Sequence, residues 1–104
     1  MSFQEQIQDQ IKKSLKDGDR LTLNTLRMLK AAIQQKEIDS RTDLSDSECL
    51  SIVEKQVQLR LEAAEQYQQG ERKELFDKEM SEAEILRSYL PEKLEPKEVK
   101  KIVI

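Results

Sequence analysis

The stretch LTLNTLRMLKAAI, from Leu21 to Ile33, decides the fold. At about 100° per residue around a helix axis, Leu21, Leu23, Leu26, Met28, Leu29, Ala32 and Ile33 cover well over half the circumference. So wide an apolar arc predicts neighbours on several sides. The helix that carries it, from about Asp19 to Ser40, is therefore expected at the centre of a bundle. Its narrow remaining face holds Arg20, Asn24, Arg27 and Gln34, with Lys30 at the margin and Lys36 nearer the end.

Moving outward, the preceding segment Ser2–Lys16 reads as a first helix with Phe3, Ile7, Ile11 and Leu15 in a stripe. Gly18 closes it, because glycine takes the left-handed cap conformation at no steric cost. Residues 41–44 form a short polar loop. Ser45 and Glu48 then fit a capping box, with Leu44 and Cys49 as its hydrophobic staple. The third helix runs to about Gln69 and turns at Gly70. A fourth covers roughly Arg72 to Tyr89 and stops before Pro91, which disfavours helix in the residue ahead of it. Pro96 opens a last short helix with Val99, Ile102 and Val103, and the sequence reaches Ile104 after two turns, as if more protein follows. The expected fold is all-α: an antiparallel helical bundle of about four helices plus the start of a fifth, the second helix central. Residues 1–91 form the bundle and 92–104 begin a following segment.

Composition agrees. The 104 residues include only two Gly and two Pro, too few for the many turns of an all-β domain. The chain has 38% charged residues, a net charge of -3, one Cys and no His. Without His there is no Ser-His-Asp triad, no Cys-His pair and no His-metal site. One Cys excludes an internal disulfide framework and a Cys-rich zinc site. No apolar run approaches the ~18 residues of a membrane span. The start Met1–Glu5 lacks the basic flank and apolar stretch of a secretory signal, so the expected compartment is the cytoplasm.

Two charged residues fall on apolar faces. Arg60 projects about 20° from Cys49 on the third helix, and Glu79 falls among Leu75, Phe76, Ala83 and Leu86 on the fourth. In a hairpin turning at Gln69-Gly70 they stand at the same level, which predicts a partly buried Arg60–Glu79 ion pair. It either fixes the hairpin register or holds a ligand-binding arginine, whose planar fork suits phosphate and carboxylate.

No catalytic residue, metal site or cofactor site is predicted. Glu71–Glu84 contains six acids, but Arg72, Lys73, Lys78 and Arg87 are interspersed, the pattern of a solvated, salt-bridged face. Metal binding by Glu-rich helices commonly uses Glu-x-x-His, and there is no His. There is no Gly-rich phosphate loop and no nucleophile elbow. Cys49 lies on an apolar face and reads as a core residue. The one net-basic segment is 19–40, at +1, against -3 for 41–70 and -1 for 71–104. Its edge of Arg20, Arg27 and Lys30, with Lys36 further on, is either an ordinary wet face or a small RNA-binding surface.

Several ordered motifs resemble the GatB/YqeY family. Leu26-Arg27-Met28-Leu29-Lys30-Ala31-Ala32-Ile33, followed by Glu37-Ile38, resembles its signature helix. Leu44–Glu48 resembles its loop and cap; Arg60, Tyr67, Gly70, Arg72, Leu75, Lys78 and Glu79 fall in the next motif; and Tyr89–Leu94 matches its tyrosine-leucine-proline stop. The resemblance implies a helical domain followed by a smaller helical one. It also implies a place beside tRNA-dependent amidotransferases, where the similar region of GatB helps hold tRNA while amide transfer occurs elsewhere. The chain departs from the family at Gln58-Leu59-Arg60-Leu61-Glu62, where a basic cluster is usual. Three functions follow as expectations: a tRNA-contacting accessory domain; a module docking a larger protein through Val99–Ile104; and, least supported, an amidotransferase in its own right, for which no glutaminase nucleophile or ATP site is visible.

Overall fold

A computed structural model describes residues 2–90. They form four helices: α1 Phe3–Asp17, α2 Arg20–Ser40, α3 Asp46–Gln69 and α4 Lys73–Arg87. The expected fifth helix from Pro96, the segment Val99–Ile104 and the division at residue 91 lie outside the described residues. α1 packs on α2, and α3 packs on α4 along its length. Both α2 and α3 touch all three other helices, so the centre is shared between them.

Local chemistry sets each boundary. Ser2 is the N-cap of α1 rather than its first residue, and with Glu5 it closes a capping box. Gly18 ends α1 at φ 74°, in the left-handed region. Asp19 caps α2 by accepting from the Thr22 N–H. Ser45 and Glu48 form the expected box at the start of α3. At the hairpin turn Gly70 keeps φ −88°, and it is Glu71 that goes left-handed at φ 58°. α4 ends at Arg87, two residues before the expected Tyr89. Tyr89 and Leu90 instead donate to Leu86 and Arg87 three residues back, a tight turn that leads into Pro91.

The core is one cluster, with Ile7, Leu26, Leu29, Ile33, Cys49 and Val53 fully enclosed. Phe3 packs edge-to-face on Tyr89, ring centroids 6.1 Å apart. Several residues expected inside lie outside. Leu15 is 60% exposed, and Ser14 takes its place in the core. The reason is angular: steps of four over-rotate by about 40° each, so Leu15 ends ~120° from Phe3 while Ser14 returns to within ~20°. Leu21 and Met28 of α2 are also exposed. The apolar arc of α2 is therefore wider than its buried arc of Leu23, Thr25, Leu26, Leu29 and Ile33. Thr25 is accommodated inside because its hydroxyl donates to the Leu21 carbonyl at 2.8 Å.

Candidate functional site

Two charged features stand out: a buried cluster between α3 and α4, and the outer face of α2. In the cluster, Arg60 Nη1 donates to Glu79 Oε1 at 3.1 Å and to Glu82 Oε1 at 3.3 Å. Lys78 Nζ donates to the other oxygen of Glu82 at 2.9 Å. Glu79 and Glu82 are buried, at 8% and 3% exposure. Two carboxylates are thus matched by two cations, the least costly way to hold charge inside a protein. The Glu82 carboxylate, first by hydrogen bonding and then by charge, raises the Lys78 ammonium above its usual pKa. Arg60 and Glu82 border a crevice of about 10 Å³ with Thr25, Met28 and Gln56, room for about one water molecule.

Sequence projection singled out Arg60 and Glu79 and missed Glu82. The solvated face expected for the acids of Glu71–Glu84 does not extend to Glu82, which is buried. The signal was present: Glu82 projects about 20° from Leu75 and 40° from Leu86, inside the apolar arc of α4. The alternating charges around it concealed the position.

Glu37 is a second polar hub. Its Oε2 accepts from Gln4 Nε2 at 2.9 Å and from the Leu44 N–H at 3.0 Å, tying α1 and the 41–44 loop to α2. Those hydrogen bonds, the Leu44 amide first, hold its carboxyl below the usual pKa. A lowered folded pKa means that this stabilisation is present at neutral pH and is lost as pH falls through the folded value. The stability gap between the protein and Glu37→Gln is accordingly expected to be present at pH 7 and to close toward pH 3. Urea unfolding midpoints at the two pH values measure it. Cys49 is fully buried, and burial first, then Asp46 and Glu37, raises its thiol pKa. It stays protonated, unlike a reactive cysteine.

The four basic candidates on α2 do not make one patch. Arg20 and Arg27 are exposed and project within about 20° of each other. Lys30 is half-buried at the edge, where its ammonium donates to Gln8 of α1. Lys36 is exposed but stands about 160° from Arg20, on the opposite flank. From Arg20 to Lys36 there are four bases and no acid, in a chain of net charge -3. Around Arg20 and Arg27 the same face exposes Asn24, Ala31, Gln34 and Gln35.

Among the described residues no helix is long and apolar enough to cross a membrane. Residues 4–104 match the family described as YqeY-like protein. An uncharacterized protein of Schizosaccharomyces pombe is 29% identical over 91 residues, covering 88% of this chain and 74% of that protein. Two proteins named altered inheritance of mitochondria protein 41, mitochondrial, are also similar. The one from Lachancea thermotolerans is 32% identical over 81 residues, 77% of this chain and 43% of that protein. The one from Pyrenophora tritici-repentis is 24% identical over 83 residues, 80% of this chain and 46% of that protein. The chain thus spans less than half the length of these two mitochondrial relatives. With the family matched across nearly its whole length, the chain belongs to the YqeY-like proteins.

Proposed function

We propose that this YqeY-like protein is an accessory domain that contacts tRNA, related to the tRNA-holding region of tRNA-dependent amidotransferases and without a catalytic centre of its own. The observation that carries this reading is the outer face of α2, where Arg20 and Arg27 stand exposed in a stretch without acids. Phosphate attracts such a face, while the net-negative remainder is repelled, so RNA approaches from one side only. Residues 1–91 are the contacting domain in this reading, and 92–104 begin a following segment. We place its action in the cytoplasm; two relatives carry mitochondrial names, and subcellular fractionation separates the two compartments.

A titration with bulk tRNA at low and moderate salt tests the proposal. Two or three phosphate contacts give a log–log salt slope of about −2 to −3. Arg27→Ala is expected to weaken binding and to make that slope shallower by about 1. Binding that is indifferent to salt and to Arg27 would count against the α2 face. A salt-insensitive complex with a protein partner would favour the docking-module alternative.

A further inference from the structure

We infer that the outer face of α2 reads RNA as a duplex, across the minor groove, with Asn24 hydrogen-bonding ribose 2′-hydroxyls between the phosphate contacts of Arg20 and Arg27. The inference rests on the RNA reading above and names the form of nucleic acid that this face takes.

Three observations support it. The first is relief. α2 touches all three other helices, so only its outer arc is free. A helix set into a bundle in this way cannot enter a groove about 8.5 Å deep, as a protruding recognition helix enters the DNA major groove. The minor groove of an A-form RNA duplex is wide and shallow, and its surface carries 2′-hydroxyls. Ala31, exposed in the middle of the face, keeps that part of it low.

The second is chemistry. Asn24 lies about 40° from Arg20 and 60° from Arg27, one helical turn from each. Among the described residues its amide makes no hydrogen bond, nor does that of Gln34 further along the face. An amide both donates and accepts, and so does a 2′-hydroxyl. The nearest acid on the N-terminal side, Asp19, already accepts from the Thr22 N–H. From Arg20 to Gln34 the face runs about 21 Å.

The third concerns single strands. Proteins that bind single-stranded nucleic acid stack its bases on exposed aromatic rings. The chain has two Phe, two Tyr and no Trp, and all four rings are buried or half-buried. Phe3 and Tyr89 are engaged with each other.

Fluorescence anisotropy of the full chain with three labelled probes tests the inference: a 16-base-pair RNA duplex, the DNA duplex of the same sequence, and one RNA strand alone. The RNA duplex is expected to bind about five- to tenfold more tightly than the DNA duplex, the scale of one or two hydrogen bonds. Asn24→Ala is expected to remove most of that preference by weakening RNA duplex binding and leaving DNA binding unchanged. Asn24 is exposed and Ala is the better helix former, so this variant folds. Arg27→Ala is expected to weaken both duplexes alike. Equal affinity for the two duplexes, tighter binding of the single strand, or no effect of Asn24→Ala overturns the duplex inference and leaves the tRNA reading in place. Failure to bind any probe, and tRNA as well, overturns both.

Discussion

Replacing Arg60 with alanine is expected to lower the unfolding free energy by about 3 kcal/mol, the lower end of the ~3–5 kcal/mol range for breaking a buried ion pair. The side chains of Glu79 and Glu82 are only 11% and 4% exposed, and both accept from the same guanidinium nitrogen. Removing Arg60 strands Glu79 and leaves Glu82 with one of its two cations. Lys78 reaches only Glu82, through the oxygen that Arg60 does not use. The lower end of the range applies because Arg60 is itself 21% exposed and water can enter where it stood. Arg60→Ala combined with Glu79→Gln and Glu82→Gln should recover much of the loss, since the stranded charges are then gone. Urea denaturation followed by circular dichroism measures the cycle. A loss below about 1 kcal/mol would put the cluster in the class of ordinary surface ion pairs.

Leu26→Ala should cost ~2–5 kcal/mol. Leu26 has no exposed surface, and it belongs to the fully enclosed set of Ile7, Leu29, Ile33 and Val53. Alanine favours the helix more than leucine does, so the whole cost comes from lost burial and the cavity left behind. Met28, two residues along and 47% exposed, is the internal control: Met28→Ala should change stability by about 0.5 kcal/mol or less. At roughly 4–8 °C per kcal/mol for a domain of this size, thermal melts separate the two variants clearly.

The contrast between Leu26 and Met28 shows what the sequence conveyed and where it stopped. Helical periodicity located all four helices, and the Ser45–Glu48 box and Gly18 marked boundaries, because these signals lie within one turn of chain. The width of the apolar arc on α2 was misleading. Leu21 and Met28 are as apolar as Leu26, and only tertiary packing distinguishes the sides of the helix that meet a neighbour. On α1 the four-residue spacing pointed to Leu15, while accumulated rotation brought Ser14 into the core. Arg60 and Glu79 were legible because each interrupts an apolar face. Glu82 interrupts one too, but it sits among alternating charges that resemble a wet surface. The outer face of α2, on which the RNA proposal rests, was harder still. The lack of acids from Arg20 to Lys36 can be read in the sequence, but only the structure shows that Arg20, Arg27 and Lys36 meet solvent while Lys30 is half-buried.

The tertiary hydrogen bonds also differ in the length of chain they close. Arg60 meets Glu79 across 19 residues of chain, and Lys30 meets Gln8 across 22. Gln4 reaches Glu37 across 33, and the Phe3 amide reaches Asp46 across 43. Closing a longer loop costs more entropy, and local contacts form sooner. The α3–α4 and α1–α2 pairings therefore close short loops of similar cost, whereas the first turn of α1, clamped by Glu37, Asp46 and the ring of Tyr89, closes the longest ones. That clamp gathers residues from α2, from α3 and from the turn after α4, so it can form only when those elements are already in place.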